Sequence, residues 1–144
     1  MKLSCLQENL KRGLAIVGHA VAGKSTLPVL SNILLATDDG RLKLAATNLE
    51  IGITCWIGAK IEEDGAVTIP AKLLSDVVGG LPNDKISLQL DARTQTVAIK
   101  CARYDSSIKG IEADEFPVIP TVSDVPPTAS FPPALLRETI DQVA

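Results

Sequence analysis

The chain has 144 residues, which is enough for one well-packed domain and part of a second. Hydrophobic residues make up 46% of it and charged residues 22%, a balance typical of folded proteins and too apolar for a disordered one. The formal net charge of -3 excludes a protein that is basic overall, so binding to nucleic acid would require cations gathered on one surface.

The first predicted elements are a short strand, Lys2 to Cys5, and an amphipathic helix, Leu6 to Val21. Apolar residues recur in the helix at three- and four-residue steps and form one stripe: Leu6, Leu10, Leu14, Val17 and Val21. The residues on the opposite side are mostly polar or charged: Glu8, Lys11, Arg12, Ala15 and His19. We therefore expect the helix to cover a core with its apolar stripe and to expose the other side.

Three strands are predicted next, over Val29 to Thr37, Arg41 to Thr47 and Glu50 to Lys60. The acidic runs Asp38–Asp39 and Glu62–Asp64 each precede a glycine. Because Asp and Gly together favour tight turns, we interpret both runs as solvated hairpin ends and not as metal sites.

A second strand and helix follow, Ala66 to Ile69 and Pro70 to Gly79, with Pro70 in the first turn. The predicted apolar side of this helix consists of Leu73, Leu74, Val77 and Leu81, and the opposite side of Lys72, Ser75 and Asp76. Further strands are predicted over Lys85 to Leu90, Thr96 to Ala102 and Tyr104 to Ile108. Residues 110–127, rich in Pro, Asp and Glu, indicate a loop or linker.

The same arrangement of a strand leading into a helix begins a third time at Thr128 to Phe131, with a helix from Pro132 to the end of the chain. Cys5, Ile69 and Phe131 occupy equivalent places at nearly equal distances along the chain, which indicates an internal repeat. The predicted fold class is α+β. It comprises two strand–helix–three-strand units with pseudo-two-fold symmetry, and helices on one face of antiparallel sheets.

Residues 18–25, GHAVAGKS, match the phosphate-loop pattern G-x-x-x-x-G-K-[ST]. In a phosphate loop a strand enters the loop and a helix leaves it. Here the preceding residues have helical periodicity, and Pro28 followed by a strand-like segment comes after. A nucleotide-binding enzyme using residues 18–25 is therefore the alternative function, and the match is interpreted as accidental.

The most apolar stretch, Leu27 to Ala36, is interrupted by Pro28 and is shorter than the ~20 residues that a bilayer requires. Cys5, Cys55 and Cys101 are odd in number and lack a C-x-x-C pair, which favours free buried thiols. We therefore expect that the protein has no membrane segment and is located in a reducing cytoplasm. His19 has no Cys, Ser or acidic partner at a useful spacing, and no pattern in the chain predicts an enzyme, a cofactor or a metal site.

Several stretches in one order along the chain resemble bacterial DNA polymerase III beta subunits, the sliding clamps of replication. These stretches are Ser25 to Leu35, Ala46 to Ile51, Ile69 to Leu74, Gly80 to Pro82 and Ala113 to Pro117. The resemblance implies a DNA-clamp fold at residues 1–120, a linker at 121–127, and the first strand and helix of a middle clamp domain at 128–144. It also implies a ring of two protomers with three domains each, whose helices line a hole around duplex DNA.

The resemblance implies function as a non-catalytic processivity factor that tethers the polymerase to double-stranded DNA. The implied partners of the full-length protein are a second protomer, the catalytic subunit of DNA polymerase III and the clamp loader. Lys24 and Lys72 match basic DNA-contacting positions of the family. Lys11 and Arg12 have weaker support, from their side of the helix alone. Family members often carry a further basic residue where this chain has Gly79, which puts that contact in doubt.

The third repeat stops at Ala144, before the three strands that follow the first two helices. We therefore expect the chain to be a fragment, with a stable domain over residues 1–120 and a tail without a packing partner. Such a fragment is expected to bind neither DNA nor polymerase and clamp-loader peptides strongly, and not to close the native ring.

Overall fold

The computed structural model describes residues 1–23, 27–119, 126 and 129–143. The strands are β1 Lys2–Leu6, β2 Asn32–Asp38, β3 Arg41–Thr47, β4 Gly52–Gly58, β5 Lys60–Glu63, β6 Ala66–Pro70, β7 Lys85–Asp91, β8 Thr96–Cys101 and β9 Tyr104–Lys109. The helices are α1 Gln7–Val17, α2 Ala71–Gly79 and α3 Pro133–Val143, and short 3-10 turns span Gly18–Ala20, Pro28–Ser31 and Ala113–Glu115.

The strands form two antiparallel sheets, a five-stranded sheet in the order β5-β1-β7-β8-β9 and a four-stranded sheet in the order β4-β3-β2-β6. Each half of the domain gives its first strand to the sheet of the other half, since β1 pairs with β7 and β6 pairs with β2. The predicted α+β class and the two repeated units are confirmed. The exchange of first strands was not predicted.

Three predicted strands differ from the structure. The predicted strand Glu50 to Lys60 corresponds to β4, which ends at Gly58, and Lys60 begins a separate strand, β5, in the other sheet. Val29 lies in a 3-10 turn that begins at Pro28, whose fixed φ favours helical turns. Ala129 to Phe131 have no strand structure, because a strand needs a neighbour for its backbone groups and no ladder between described residues reaches this segment. Thr128 lies outside the described residues.

Helix α1 packs on β3 and β4, and the described residues include a close approach at Gly13. A Cβ atom at this position would lie 2.5 Å from Cδ1 of Leu44, so the glycine lets the helix lie close to the sheet without displacing that side chain. Leu10, Leu14 and Val17 are buried as predicted. The prediction that Leu6 belongs to the apolar stripe is wrong, because Leu6 ends β1, before the helix, and its side chain is 48% exposed.

Helix α2 packs against β6 and β9 and buries Ala71, Leu74 and Val78. These residues follow three- and four-residue steps, and Leu73 falls one position off that stripe. The prediction that Leu73 belongs to the apolar side is wrong, because its side chain is half exposed next to Lys72. Val77 and Leu81, also predicted there, are partly buried against the core.

The segment after β9 closes the free edge of β6. The backbone N–H and C=O groups of Thr68 and Ile111 exchange two hydrogen bonds of 2.9 Å. The Thr68 hydroxyl also donates to the Ile111 carbonyl at 2.9 Å and accepts from the Asn32 side-chain amide at 3.0 Å. Phe116 then inserts into a second apolar cluster with Val29, Leu30 and Ala45. Residues 110–116 are therefore part of the packed domain.

Helix α3 forms as predicted, but none of its residues is buried. Its apolar residues are all at least about half exposed: Leu135, Leu136, Ile140 and Val143. Among the described residues, no helix is both long enough and apolar enough to cross a bilayer.

The burial of the cysteines predicts their order of alkylation. Burial raises the pKa of the Cys5 thiol to about 12, and burial followed by the Asp84 carboxylate raises the pKa of Cys101. The attacking species is the thiolate, so burial lowers the thiolate fraction of Cys5 far below that of an exposed thiol. Cys55 is partly exposed. In the native protein we expect iodoacetamide to modify Cys55 first, as read by peptide mass spectrometry, whereas equal rates at Cys5 would contradict the packing of β1.

Candidate nucleic-acid interface

Helices α1 and α2 contact each other and together expose one surface. The side-chain amide of Gln7, at the start of α1, donates a 2.9 Å hydrogen bond to the Val78 carbonyl near the end of α2. Gln7 is buried, so this bond fixes the two helices relative to each other. We call their exposed residues the helix face: Glu8, Lys11, Arg12, Ala15, Ile16 and His19 of α1 or the turn after it, and Lys72, Leu73, Ser75 and Asp76 of α2.

The helix face carries three cations, Lys11, Arg12 and Lys72, against the two carboxylates of Glu8 and Asp76. It is thus slightly positive in a chain whose net charge is -3. Within the described ranges, none of these five groups forms an ion pair. The three cations are exposed and available to an anionic partner, as phosphate contacts require.

Three of the four residues predicted to contact DNA lie at exposed positions of these two helices. Lys11 and Arg12 lie on adjacent exposed positions of α1, and Lys72 lies in the first turn of α2. Lys24, the fourth, lies outside the described residues, and its role stays a prediction. The large apolar residues Ile16 and Leu73 are also exposed on the helix face. The sequence did not predict them there.

The flanks of residues 18–25 are the reverse of a phosphate loop. Helix α1 enters this segment, and a 3-10 turn followed by β2 leaves it. The backbone N–H of Gly18 donates within the helix end, and those of Val21 and Ala22 donate to the carbonyls of Gly18 and Leu30. These amides are already engaged within the protein, whereas a phosphate loop directs such amides toward its ligand.

The acidic run Asp38–Asp39 lies at a hairpin turn as predicted, whereas Glu62 and Glu63 belong to β5, which pairs with β1 and forms no hairpin with β6. Asp39 and Gly40 have φ values of 49° and 77°, which a tight β2–β3 turn requires. Asp38 accepts a 2.8 Å hydrogen bond from the Trp56 indole, and the Arg41 guanidinium lies 5.5 Å from the centre of that ring. His19 is exposed in the turn after α1. Across residues 1–23, 27–119, 126 and 129–143, no three His, Cys, Asp or Glu side chains form a group that could hold a metal ion.

Comparison with known proteins gives a consistent family. Residues 1–120 match the family described as DNA polymerase III beta subunit, N-terminal domain. The beta sliding clamp of Synechococcus elongatus is 43% identical over 125 residues, which cover 85% of this chain and 33% of that protein. The beta sliding clamp of Synechocystis is 39% identical over 147 residues, which cover 96% of this chain and 37% of that protein.

Solved structures that are similar to this chain come from the same family as these relatives. A DNA polymerase III beta subunit of Eubacterium rectale superposes with a TM-score of 0.82 and 35% identity, over 85% of this chain and 33% of that one. The sliding clamp of Caulobacter crescentus superposes with a TM-score of 0.79 and 32% identity, over the same shares. The chain thus spans about a third of the length of the curated relatives and solved structures that it matches.

Proposed function

The chain belongs to the family of DNA polymerase III beta subunits, and on that premise we propose that it acts as the N-terminal part of a sliding clamp. In this role it would contribute to a ring around double-stranded DNA and hold the replicative polymerase on its template without catalysing a reaction. The observation that carries the proposal is the helix face, where three unpaired cations gather on an otherwise acidic protein. Phosphate contacts of this kind position DNA without reading its sequence, which suits a protein that must slide.

We propose that Lys72, Lys11 and Arg12 contact phosphates of the duplex, and that Lys24, which lies outside the described residues, does so as well. Exposed Lys and Arg side chains can follow a moving backbone because their charges sit on long flexible stems. Glu8 and Asp76 lie among these cations and weaken the local positive field. Gly79, at the end of α2, offers no side chain where relatives often carry another cation. We therefore expect modest affinity from this domain alone.

For the full-length protein we further propose a homodimeric ring and a cytoplasmic location. We also propose that it binds the DNA polymerase III catalytic subunit and the clamp loader. Residues 1–120 would be the first clamp domain, 121–127 the linker, and 128–144 the beginning of the middle domain. The exposed apolar side of α3 supports the last assignment, because such a helix needs a packing partner to be stable.

The test is to locate where DNA touches this chain. A short duplex is titrated at low salt into isotopically labelled protein, and amide shifts are followed by NMR. We expect the largest amide shift changes at Lys11, Arg12 and Lys72. The amide shifts of the outer strands, such as that of Ser107, should not change. Shifts confined to the sheets would contradict the proposed orientation of the clamp.

The phosphate-loop alternative predicts a different result. Because the amides of Val21 and Ala22 are already engaged, we expect calorimetry with magnesium and ATP to detect no binding at sub-millimolar concentration. Lys24→Ala should leave both this result and the melting temperature unchanged. Micromolar ATP affinity that Lys24→Ala abolishes would favour a nucleotide-binding function over the clamp.

A further inference from the structure

The outer face of the five-stranded sheet carries a pair of serines at its centre. Ser4 of β1 lies directly opposite Ser87 of β7. In the antiparallel ladders, Lys60 of β5 is opposite Ser4, and Lys100 of β8 is opposite Ser87. Directly opposite residues share a face, with Cβ atoms about 5 Å apart. These four side chains therefore form one row across four strands, and the row continues to Asp105 of β9, which is opposite Lys100.

Two further lysines stand beside this row. Lys2 precedes Ser4 by two residues in β1, and Lys85 precedes Ser87 by two residues in β7. Side chains two apart in a strand share a face at about 7 Å. The two hydroxyls are thus surrounded on the same face by four ammonium groups, and the apolar residues that alternate with them point into the core.

Most of the polar groups on this face have unused hydrogen-bond donors. Lys2 pairs with Glu62 at 3.5 Å, and both side chains are about half exposed. In the part of the chain that the structure describes, Lys60, Lys85 and Lys100 form no ion pair, and the hydroxyls of Ser4 and Ser87 have no hydrogen-bond partner. The ammonium groups of Lys60, Lys85 and Lys100 and the two hydroxyls therefore remain available as donors to an anion.

All of these side chains except that of Lys60 line a depression of about 110 Å³. The depression lies on the outer face of the sheet, so an anion such as a phosphate group can approach it from solvent. The lining has three ammonium groups, Lys2, Lys85 and Lys100, and one carboxylate, Glu62. The resulting excess of two positive charges matches the dianion of a phosphomonoester, which carries up to two negative charges near neutral pH.

We propose that this depression, here called the outer lysine site, binds a phosphate group, either as inorganic phosphate or as the phosphate of a small phosphomonoester. Lys85 and Lys100 would neutralise the dianion, Ser4 and Ser87 would donate to its oxygens, and Lys2 would be shared between it and Glu62. The site lies on the opposite side of the sheet from the core and the helices, so it is independent of the helix face and of the clamp function.

The experiment titrates inorganic phosphate, phosphoserine and acetate into the full chain at constant ionic strength, with amide shifts followed by NMR. We expect saturable shifts at Ser4, Ser87 and Lys100 for both phosphate compounds, and none for acetate. The double variant K85Q/K100Q should weaken phosphate binding at least tenfold. The matched control R103Q/K109Q removes the same charge outside the depression and should leave the affinity within twofold of the parent.

Comparison of the two phosphate compounds identifies the source: tighter binding of phosphoserine assigns the site to a phosphomonoester, and equal binding assigns it to free phosphate. Linear, non-saturating shifts, or an equal loss in both double variants, would overturn the proposal, since either marks general attraction to positive charge. Saturable binding of an unphosphorylated acidic peptide without binding of phosphate would also overturn it, in favour of a protein-docking surface.

Discussion

Replacing Gly110 with alanine is expected to lower the free energy of unfolding by about 3 kcal/mol, the upper part of the range for overpacking a tight site. The added Cβ would collide with the Thr68 backbone carbonyl and lie 2.8 Å from Cδ1 of Ile69. A backbone atom in a strand cannot move aside as a flexible side-chain end can. Relief therefore requires the residues after β9 to separate from β6, which breaks the paired hydrogen bonds between Thr68 and Ile111.

Urea denaturation followed by circular dichroism measures this loss, with Gly58→Ala as the control. Gly58 ends a strand, and a Cβ atom there would meet no heavy atom within 4 Å. Its replacement should leave stability nearly unchanged or raise it slightly, because alanine loses less backbone freedom on folding. Equal stability of the two variants would mean that residues 110–116 are not tied to β6 in solution.

Removing the three described cations of the helix face is expected to have the largest effect on DNA binding. In the variant K11A/R12A/K72A, the plot of log affinity against log salt should flatten by about 2.7 units, since each phosphate contact contributes about 0.9. Affinity should fall equally for duplexes of different sequence, because phosphates carry no sequence information. Fluorescence anisotropy over a series of salt concentrations measures both quantities.

The control for this experiment is K85A/K100A/K109A, which removes an equal charge from the outer face of the five-stranded sheet. If DNA lies along the helices, this variant should keep the parent's salt slope. A similar flattening in both triple variants would show that binding follows total charge and would remove the support for an oriented clamp. A changed sequence preference with an unchanged slope would contradict phosphate contact by the helix face.

Local periodicity was sufficient to find the helices and most of the strands. The strand over Arg41 to Thr47 and the buried positions Leu10, Leu14 and Val17 follow directly from alternation and from three- and four-residue steps. Periodicity does not show which strands pair with each other. No local signal indicates that Lys60 to Glu63 leaves its neighbours in the chain to join β1, because register and sheet membership depend on contacts distant in sequence.

The candidate interface was predicted in part. Placing Lys11, Arg12 and Lys72 on exposed helix positions needed only the helical period. Leu73 was misplaced because two adjacent leucines leave the position of the stripe ambiguous by one residue. The outer lysine site had a weak signal, a lysine two positions before a serine in both β1 and β7. That signal has meaning only when Ser4 and Ser87 are known to face each other.

The exchange of first strands between the halves has a consequence for how the domain folds. Pairing of Lys2 with Gln89 requires most of the chain to be synthesised before the five-stranded sheet can form. Neither half can complete a sheet alone, so a break in the turn between β5 and β6 would leave two pieces that must associate to fold. Formation of such distant contacts is slow, because the entropy of closing a long loop is lost before the pairing compensates for it. Unfolding should accordingly be a single cooperative event in which both sheets are lost together.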